Sequence, residues 1–343
     1  MRIVLVGFGT VGRSLAKIFL SRKDELFKLY GFRPRVVAIA DSAGVAINPK
    51  GLDLEKMLML KAKKGTVAAD PAYGHLEMLA LDAIESVEAE AVVEVSPTNI
   101  QDGEPAMSHI KKAFKAGKHV VTANKGPLAI ALPALTELAE HNKVHFRFSA
   151  SVGASTPFLE FAKRCLFGDR ILSIRGILNG TTNYILTEMS EKRMPFEAAL
   201  QKAKELGYAE ADPFMDIEGV DTACKIVILA NWVMNRKVTL KDVSIKGIKN
   251  VDLEDIEKAS QENCAIKLLG SVNGGLKVKP EKLPRDSPLA VSGTLNAVTF
   301  TLEFAGEQTV IGHGAGGVET ASALLRDLLD IKQKLSAKIW LET

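Results

Sequence analysis

Residues 2–12 are Arg-Ile-Val-Leu-Val-Gly-Phe-Gly-Thr-Val-Gly, a short apolar run that passes directly into the pattern Gly-x-Gly-x-x-Gly. The run is typical of a strand buried in a parallel sheet, and the residues after it predict a helix from Thr10 to about Leu29. Between them, Gly7 permits a tight turn, Gly9 lets a pyrophosphate approach the backbone, and Gly12 lets the helix pack on the strand. The stretch predicts a dinucleotide-binding turn, with the phosphates at the helix amino terminus. The predicted cofactor contacts in it are Gly7, Phe8, Gly9, Thr10, Val11 and Gly12.

A glycine turn that binds no ligand is the alternative, because this pattern alone is weak evidence. The surrounding residues favour the ligand, since a second buried strand, Val36–Ala40, follows the helix. Two later apolar runs, Ala91–Val95 and His119–Thr122, predict further strands, with helices over Glu104–Ala116 and Leu132–Asn142. Strands separated by helices predict an α/β fold, a Rossmann-type doubly wound parallel sheet. We assign this dinucleotide-binding domain to residues 1–135.

The pattern changes after about residue 144 and predicts a second domain of α+β type over residues 136–305. Its predicted strands are Val144–Ser151, Ile171–Leu178, Ala265–Asn273 and Ala297–Ile311. Its predicted helices are Pro157–Leu166, Thr182–Lys192, Phe196–Leu206 and Glu218–Met234. The remaining segment, residues 306–343, contains one helix, Val318–Ser336, which is too short for a domain and is expected to return to the first sheet.

Composition excludes several classes of protein. The 343 residues carry 44 Lys+Arg against 41 Asp+Glu, a net charge of +3, which predicts neither a nucleic-acid stripe nor a membrane-surface patch. No apolar run reaches the length of a membrane span, and the chain opens with a strand rather than a signal peptide. The three cysteines, Cys165, Cys224 and Cys264, show no metal-ligand or disulfide spacing. We expect reduced thiols and a cytoplasmic location.

Asp41 ends the second predicted strand, where an acidic residue accepts hydrogen bonds from the adenosine ribose. This position favours NAD over NADP. Ser42 follows where an arginine would have indicated NADP, and Lys61, Lys63 and Lys64 lie close in sequence. Any of these lysines could meet a 2′-phosphate, and a solvated helix face is an equally good interpretation of them. The sequence leaves NAD and NADP both open.

The densest chemical signal is the stretch Gly207-Tyr-Ala-Glu-Ala-Asp-Pro-Phe-Met-Asp-Ile-Glu-Gly-Val-Asp-Thr-Ala-Cys-Lys225. Its last carboxylate, Asp221, and Lys225 are four residues apart, so they share one face of a helix. An exposed ion pair is one interpretation. The apolar run after Lys225 indicates a buried helix instead, in which a lysine held by carboxylates could donate a proton or clamp a carbonyl oxygen.

Two further segments follow predicted strands and carry polar side chains. Val121-Thr-Ala-Asn-Lys125 places a lysine at the carboxyl end of a sheet strand, the edge where doubly wound folds bind ligands. Asn179-Gly-Thr-Thr-Asn-Tyr184 opens a helix and forms a turn suited to a carboxylate, although an ordinary helix cap would have the same sequence.

Together these motifs resemble homoserine dehydrogenase over nearly the whole chain. They are GFGTVG at 7–12, VTANK at 121–125, ILNGTTNYIL at 177–186, GYAEADPFMDIEGVDTACK at 207–225 and GHGAGG at 312–317. The resemblance implies hydride transfer between a nicotinamide and aspartate semialdehyde, giving homoserine for threonine, methionine and isoleucine synthesis. It also implies a homodimer. No regulatory domain follows the last helix, so we expect no built-in feedback site for threonine.

The same resemblance implies roles for individual residues. Lys225 gives the carbonyl oxygen its proton, Asp221 positions Lys225, and Lys125 takes part in proton transfer or orientation. The implied substrate-binding residues are Glu210, Asp216, Thr181 and Tyr208. The implied cofactor contacts beyond the glycine turn are Asp41, Ser42, Ser96, Thr98, Asn99, Lys125 and Gly316.

The sequence departs from the family pattern in two places. A glutamate that often accompanies a sodium site is Ser149 here, and the backbone carbonyls of Val152, Ala154 and Thr156 could still bind a monovalent cation such as sodium. In the glycine loop near the carboxyl end, His313 replaces the usual proline.

Two rival functions use the same cofactor fold. An aspartate semialdehyde dehydrogenase needs a thiolate nucleophile, but Cys224 lies in an apolar helix and Cys165 follows two basic residues. A non-catalytic cofactor sensor would keep the glycine turn without needing Lys125 or the acidic cluster. The small-molecule dehydrogenase remains the interpretation that uses all the motifs.

Overall fold

The computed structural model describes residues 1–341, with side chains through residue 336, and divides into two compact units. The first contains Met1–Ser151 and the segment from Gly316 onward, and the second is Val152–Ala315. The expected boundaries, after residues 135 and 305, both lie earlier than these divisions. The difference arises because one more strand joins the first sheet and a complete hairpin joins the second.

The first unit is built on a seven-stranded sheet. Its strands are β1 Arg2–Val6, β2 Arg35–Asp41, β3 Gly44–Ile47, β4 Gly74–Leu76, β5 Ala91–Glu94, β6 His119–Thr122 and β7 Phe146–Arg147. The order is β4-β3-β2-β1-β5-β6-β7, with β2, β1, β5, β6 and β7 parallel. β3 and β4 add an antiparallel edge. The α/β fold with a parallel Rossmann-type sheet is therefore confirmed.

Seven helices accompany this sheet in the described part of the unit. They are α1 Thr10–Ser21, α2 Lys23–Tyr30, α3 Leu54–Lys64, α4 Ala80–Ser86, α5 Ala106–Lys115, α6 Lys125–His141 and α13 Gly317–Leu341. The prediction of one helix from Thr10 to Leu29 was wrong, because the backbone leaves helical geometry at Arg22 and starts again. In the last helix, Leu324 and Leu328 share a core with Leu5 of the first sheet.

The predicted strand Val144–Ser151 was wrong in length and in domain. Only Phe146–Arg147 pairs as a strand, and it extends the first sheet beside β6. Residues Ser149–Ser151 form a 3₁₀ turn, because Ser149 donates its backbone N–H and its hydroxyl to the Asp327 carboxylate at 2.9 and 2.5 Å. This contact holds the turn against α13.

The second unit is built on a six-stranded sheet of order β13-β12-β8-β10-β11-β9. Its strands are β8 Ile171–Ile177, β9 Val243–Ile245, β10 Cys264–Asn273, β11 Gly275–Pro284, β12 Leu295–Leu302 and β13 Glu307–His313. β10, predicted as a strand over Ala265–Asn273, forms an antiparallel hairpin with β11. The single run predicted over Ala297–Ile311 is instead a hairpin of β12 and β13, which turns at Gly306 with φ of 69°.

Six helices lie in this unit. They are α7 Phe158–Glu160, α8 Gly180–Lys192, α9 Phe196–Glu205, α10 Phe214–Ile217, α11 Val220–Met234 and α12 Leu253–Gln261. A π-helical turn over Phe161–Cys165 follows α7, so the helix predicted over Pro157–Leu166 is not regular. α11 is buried at every position from Asp221 to Asn231. No helix among the described residues combines the length and apolar character that a membrane crossing requires.

Lys267 is a charged residue buried in the second unit. It lies on β10 with 3% of its surface exposed, and its Nζ donates to Asn183 Oδ1 at 2.8 Å and Thr187 Oγ1 at 3.1 Å. Both partners are neutral groups on α8. Burial lowers the pKa of Lys267 to about 8.

We expect the free energy of unfolding of the wild-type protein, relative to that of a Lys267→Met variant, to rise with pH. The folded protein releases this proton near pH 8 and the unfolded chain near pH 10.5, so unfolding takes up a proton between those values. The free energy of unfolding of wild type relative to the variant should rise by roughly 2 kcal/mol between about pH 8 and pH 10. Urea unfolding of both proteins at the two pH values measures this, and an unchanged difference would contradict it.

Candidate active site

The glycine turn joins β1 to α1 and shows a different reason for each glycine. Gly7 has φ of 97°, and a Cβ on it would collide with the Val95 backbone. A Cβ on Gly12 would collide with the Gly7 carbonyl oxygen, so this glycine lets α1 pack against the turn. Gly9 caps α1 with no side-chain hydrogen bond, and a Cβ there would meet nothing within 4 Å. The open space above Gly9, beside the free N–H groups of α1, fits a dinucleotide phosphate.

The Asp41 carboxylate at the end of β2 is turned into the protein, with its side chain 3% exposed. Oδ1 accepts from Ala43 N at 3.0 Å and Thr66 Oγ1 at 2.8 Å, and Oδ2 accepts from Lys61 Nζ at 2.9 Å and Val67 N at 3.0 Å. Burial alone would raise the pKa of Asp41, but these hydrogen bonds outweigh burial and lower it. Ser42 is exposed in the turn that follows.

Glu94 ends β5 and is fully buried, a position that sequence reasoning missed. Ser96 donates both its backbone N–H and its hydroxyl to Glu94 Oε1. From the next strand, Thr122 Oγ1 donates to the Glu94 carbonyl at 2.8 Å and lies 3.2 Å from Oε2. His109 Nδ1 lies 3.5 Å from Oε1. The only available signal was one acidic residue in an apolar strand.

Asn124 connects the ends of β5 and β6. Its Nδ2 donates to the carbonyls of Ser96 and Pro97 at 3.1 and 3.2 Å, and its Oδ1 caps α6 by accepting from Gly126 N at 3.1 Å. Lys125 is the first residue of α6 and is half-buried. Asn124 therefore holds the predicted residue Ser96 at the carboxyl edge of the sheet, and the predicted Lys125 follows Asn124 directly.

Two other predicted residues, Thr98 and Asn99, lie on the loop after β5. Thr98 is exposed. Asn99 Nδ2 donates to Asp102 Oδ1 at 2.7 Å. The Asn99 carbonyl oxygen packs so closely on Gly126 that a Cβ on this glycine would lie only 2.0 Å from it. The loop therefore packs on the first turn of α6.

Gly316 begins the return of the chain to the first unit, with φ of 127°. Its carbonyl accepts from Thr320 N at 3.0 Å and Thr320 Oγ1 at 2.7 Å. A Cβ on the next residue, Gly317, would lie 2.6 Å from the Thr10 side chain. The start of α13 is therefore packed against the first turn of α1, beside the glycine turn.

In the second unit, Lys225 and Asp221 form the pair that their spacing predicts. Lys225 Nζ donates to Asp221 Oδ2 at 2.7 Å and to the Leu178 carbonyl at 2.5 Å, and both side chains are less than 10% exposed. Leu178 follows β8 directly, so this contact ties α11 to the end of that strand. One hydrogen of the ammonium remains for another acceptor.

Asp216 lies on α10, next to this pair. Asn179 Nδ2 donates to Asp216 Oδ1 at 2.6 Å and to Asp221 Oδ2 at 3.0 Å. Burial, reinforced by the negative charge of Asp221, raises the pKa of Asp216, while hydrogen bonds from Asn179 and Thr181 and the charge of Lys225 oppose the rise. The structure thus brings three predicted residues, Asp216, Asp221 and Lys225, into one buried cluster.

Thr181, Tyr208 and Glu210 lie around the amino terminus of α8. Thr181 Oγ1 donates to the Tyr208 carbonyl at 2.7 Å, which ties α8 to the segment carrying the acidic residues. The Tyr208 ring packs against Tyr184, with ring centroids 4.9 Å apart, and is 46% exposed. Glu210 is exposed.

The predicted cation loop begins the second unit. Val152, Ala154 and Thr156 are buried, and Ala154 has φ of 46°, in the left-handed region. The Thr156 carbonyl accepts from Phe158 N at 2.9 Å, while Thr156 Oγ1 donates to the His313 carbonyl at 2.9 Å. This loop therefore supports the glycine loop in which His313 replaces proline.

Two family models match the chain. One is described as the NAD-binding domain of homoserine dehydrogenase and matches residues 7–149, and the other as homoserine dehydrogenase and matches residues 157–329. A homoserine dehydrogenase of Methanocaldococcus jannaschii is 51% identical, covering 96% of this chain and 98% of its own. An NAD⁺-dependent homoserine dehydrogenase of Pseudomonas canavaninivorans is 43% identical, covering 98% and 97%. A hyperthermophilic archaeal homoserine dehydrogenase in complex with NADPH has a TM-score of 0.84 at 31% identity, covering 97% and 98%.

Substitutions at Gly9 and Gly12 should separate an effect on cofactor binding from an effect on the stability of the fold. We expect Gly9→Ala to leave the thermal unfolding temperature nearly unchanged, because its Cβ enters open space, and to weaken NADPH and NADH binding by about tenfold or more. Gly12→Ala is the matched control and should lower the unfolding temperature, because its Cβ collides with the turn. Cofactor fluorescence titration and thermal melts measure both, and undiminished binding by Gly9→Ala would contradict the phosphate assignment.

Proposed function

The chain belongs to the homoserine dehydrogenase family of NAD(P)-dependent oxidoreductases, and from that premise we propose that it interconverts L-aspartate 4-semialdehyde and L-homoserine. The observation that carries this proposal is the buried cluster of Lys225, Asp221 and Asp216. It offers a proton donor held in place by one carboxylate, with a second carboxylate beside it. We further propose that the reaction serves threonine, methionine and isoleucine synthesis.

Lys225 carries the proton transfer in this proposal. Two of its ammonium hydrogens are fixed by Asp221 and the Leu178 carbonyl, so the third has a defined direction. When the aldehyde is reduced, Lys225 gives this proton to the carbonyl oxygen, and in the reverse direction it removes the hydroxyl proton of homoserine. The bound nicotinamide supplies or accepts the hydride.

The substrate is a zwitterion, and the remaining residues suit its two charges. Asp216 and Glu210 would hold the α-ammonium or the reacting hydroxyl, because both are carboxylates near the start of α11. Thr181 would hold the α-carboxylate through its backbone N–H, together with that of Gly180, because its hydroxyl already donates to the Tyr208 carbonyl. The exposed Tyr208 ring would border the substrate. Lys125 would orient the reacting groups from its position at the start of α6.

The cofactor contacts remain as predicted from the sequence, with one refinement. The glycine turn would hold the pyrophosphate, Ser96, Thr98 and Asn99 would border the nicotinamide, and Gly316 would meet the cofactor late in the chain. Asp41 already accepts four hydrogen bonds, so its carboxylate is poorly placed to bind ribose hydroxyls. We propose that Lys61, rather than Asp41 or Ser42, decides between NADP and NAD.

Three other expectations remain predictions. A sodium ion on the carbonyls of Val152, Ala154 and Thr156 would stabilise that loop. A homodimer would use the second unit, where the edge strand β13 leaves Ile311 48% exposed. The cytoplasmic location is the third. A thiolate mechanism of the aspartate semialdehyde dehydrogenase type finds no support at Cys224, which is fully buried on α11.

We expect Lys225→Ala to lower kcat for homoserine oxidation by about 10²- to 10⁴-fold, the usual contribution of a positioned proton donor. The Kd for NADPH or NADH should stay within about twofold, because the change lies outside the glycine turn. Steady-state absorbance at 340 nm and fluorescence titration measure the two quantities.

Lys267→Met is the matched control, since it removes a second buried lysine of the same unit and should leave turnover nearly unchanged. If the wild-type protein fails to oxidise homoserine with either cofactor, the proposed function is refuted. Full turnover in Lys225→Ala would refute only the role of the lysine.

The cofactor proposal has its own test. We expect Lys61→Ala to raise the KM for NADPH by about tenfold, since it removes one charged hydrogen bond to the 2′-phosphate, and to change the KM for NADH much less. Lys56→Ala is the control, because Lys56 is another α3 lysine paired with an aspartate, Asp70, at 2.7 Å. Equal effects of Lys61→Ala on both cofactors would show that Lys61 serves only to fix Asp41.

A further inference from the structure

Asn179 joins both carboxylates of the buried cluster. It lies between Leu178, whose carbonyl accepts from Lys225, and Gly180, which opens α8. Its side chain is within hydrogen-bond distance of both carboxylates next to Lys225. The residue itself is 5% exposed. It has no role in the chemistry described so far.

The hydrogen bonds of Asn179 determine which way its amide faces. Oδ1 accepts from Thr182 N at 2.9 Å, and the Thr182 hydroxyl lies 3.0 Å from the same oxygen. The backbone N–H at Thr182 has no intrahelical acceptor, because it is in the first turn of α8, so it requires the amide oxygen. The opposite end of the amide must therefore be Nδ2, and the atoms it faces are acceptors.

Both Nδ2 hydrogens are used on carboxylates. Asn179 Nδ2 lies 2.6 Å from Asp216 Oδ1 and 3.0 Å from Asp221 Oδ2, with one hydrogen directed at each. Asp221 Oδ2 is also the oxygen that accepts from Lys225. The amide thus bridges a carboxylate of α10 and a carboxylate of α11, and it links both to the helix that begins at Gly180.

We propose that Asn179 is the positioning residue of this site, holding Asp216 and Asp221 as a pair of ionised carboxylates so that one orients Lys225 and the other stays open to substrate. This inference rests on the proposed function and adds a residue to it. Two carboxylates this close repel each other, and a neutral double donor between them is the simplest way to keep both charged.

The electrostatics agree with this arrangement. Burial and the charge of Asp221 raise the pKa of Asp216, and Asn179 is the strongest influence that lowers it. The other groups that face Asp216 are the Thr181 hydroxyl on α8 and the Lys225 ammonium on α11, which act in the same direction as Asn179. Loss of the amide hydrogens should therefore move protonation of Asp216 toward neutral pH.

Asn179→Asp tests the proposal, because it keeps the oxygen that caps α8 and removes both donors. It also adds a negative charge, so the uncharged variant Asn179→Ser must show the same shift for the loss of the donors to be its cause. We expect kcat/KM for homoserine to fall by about 10- to 100-fold, since Asp216 and Lys225 lose their alignment. The acid limb of the pH profile of kcat/KM should shift upward by about one unit or more. The KM for the cofactor should not change, because the side-chain hydrogen bonds of Asn179 go to Asp216, Asp221 and Thr182.

Asn183→Asp is the matched control on the same helix. Asn183 is 1% exposed and also uses its amide fully, donating to the Val291 and Leu295 carbonyls and accepting from Lys267. It contacts neither carboxylate of the cluster. We expect this variant to lose stability without any shift of the acid limb.

Should Asn179→Asp fail to fold, Asn179→Ser serves in its place, because serine also caps helices but does not reach both carboxylates. The same shift of the acid limb is expected. An unshifted acid limb in the folded variant, with Lys225→Ala still inactive, would overturn the role of Asn179 and leave the proposed function standing. Absence of homoserine oxidation in wild type would instead refute the proposed function.

Discussion

The Lys225 ammonium lies on a helix whose residues are buried from Asp221 to Asn231, and a charge in such a place requires both a counter-charge and hydrogen-bond acceptors. It finds them in two segments, the Asp221 carboxylate one turn earlier and the Leu178 carbonyl at the end of β8. Because the carbonyl is backbone, the ammonium fixes the position of the chain that enters α8. The geometry of Asn179 and Thr181 depends on this contact, since Asn179 follows Leu178 directly and Thr181 comes two residues later.

The constraint on the glycine turn of the first unit is steric. α1 can pack on the glycine turn only because Gly12 has no side chain to meet the Gly7 carbonyl, and Gly7 can follow β1 only because nothing projects toward Val95. These two glycines serve the fold. A Cβ on Gly9 would meet nothing within 4 Å, so packing does not require glycine there, which agrees with the proposed approach of a phosphate to its backbone.

Much of this arrangement could be predicted from short-range patterns. The strand, turn and helix around the glycines, and the meeting of Asp221 with Lys225, depend on residues within a few positions of each other. The break at Arg22 and the true partner of β7 could not be predicted in this way. No proline or glycine marks the first. The second is a pairing with β6, which ends 24 residues before β7 begins, and the turn after β7 is held by Asp327, which lies 178 residues after Ser149.

Contacts between residues distant in sequence also limit what could be predicted about the candidate site. The sequence places Asp41 at the end of its strand, but only the fold shows that Lys61, Thr66 and Val67 converge on its carboxylate. The importance of Glu94 and Asn179 was equally hidden, because one looks like an isolated polar residue in a strand and the other like an ordinary helix cap. Their partners come from other strands and helices, and no spacing rule connects them.

The charges of the buried cluster suggest why its substrate should carry an ammonium group. Asp216 and Asp221 together bear two negative charges when ionised, and Lys225 bears one positive charge, so these three side chains sum to one negative charge. A buried carboxylate in that state is costly, which is why burial and Asp221 raise the pKa of Asp216. A ligand that brings a cation to Asp216 removes the imbalance, and a ligand without one does not. Both homoserine and aspartate semialdehyde carry such a cation, so binding either one would stabilise the ionised form of Asp216 and leave Lys225 charged, with its proton available for transfer.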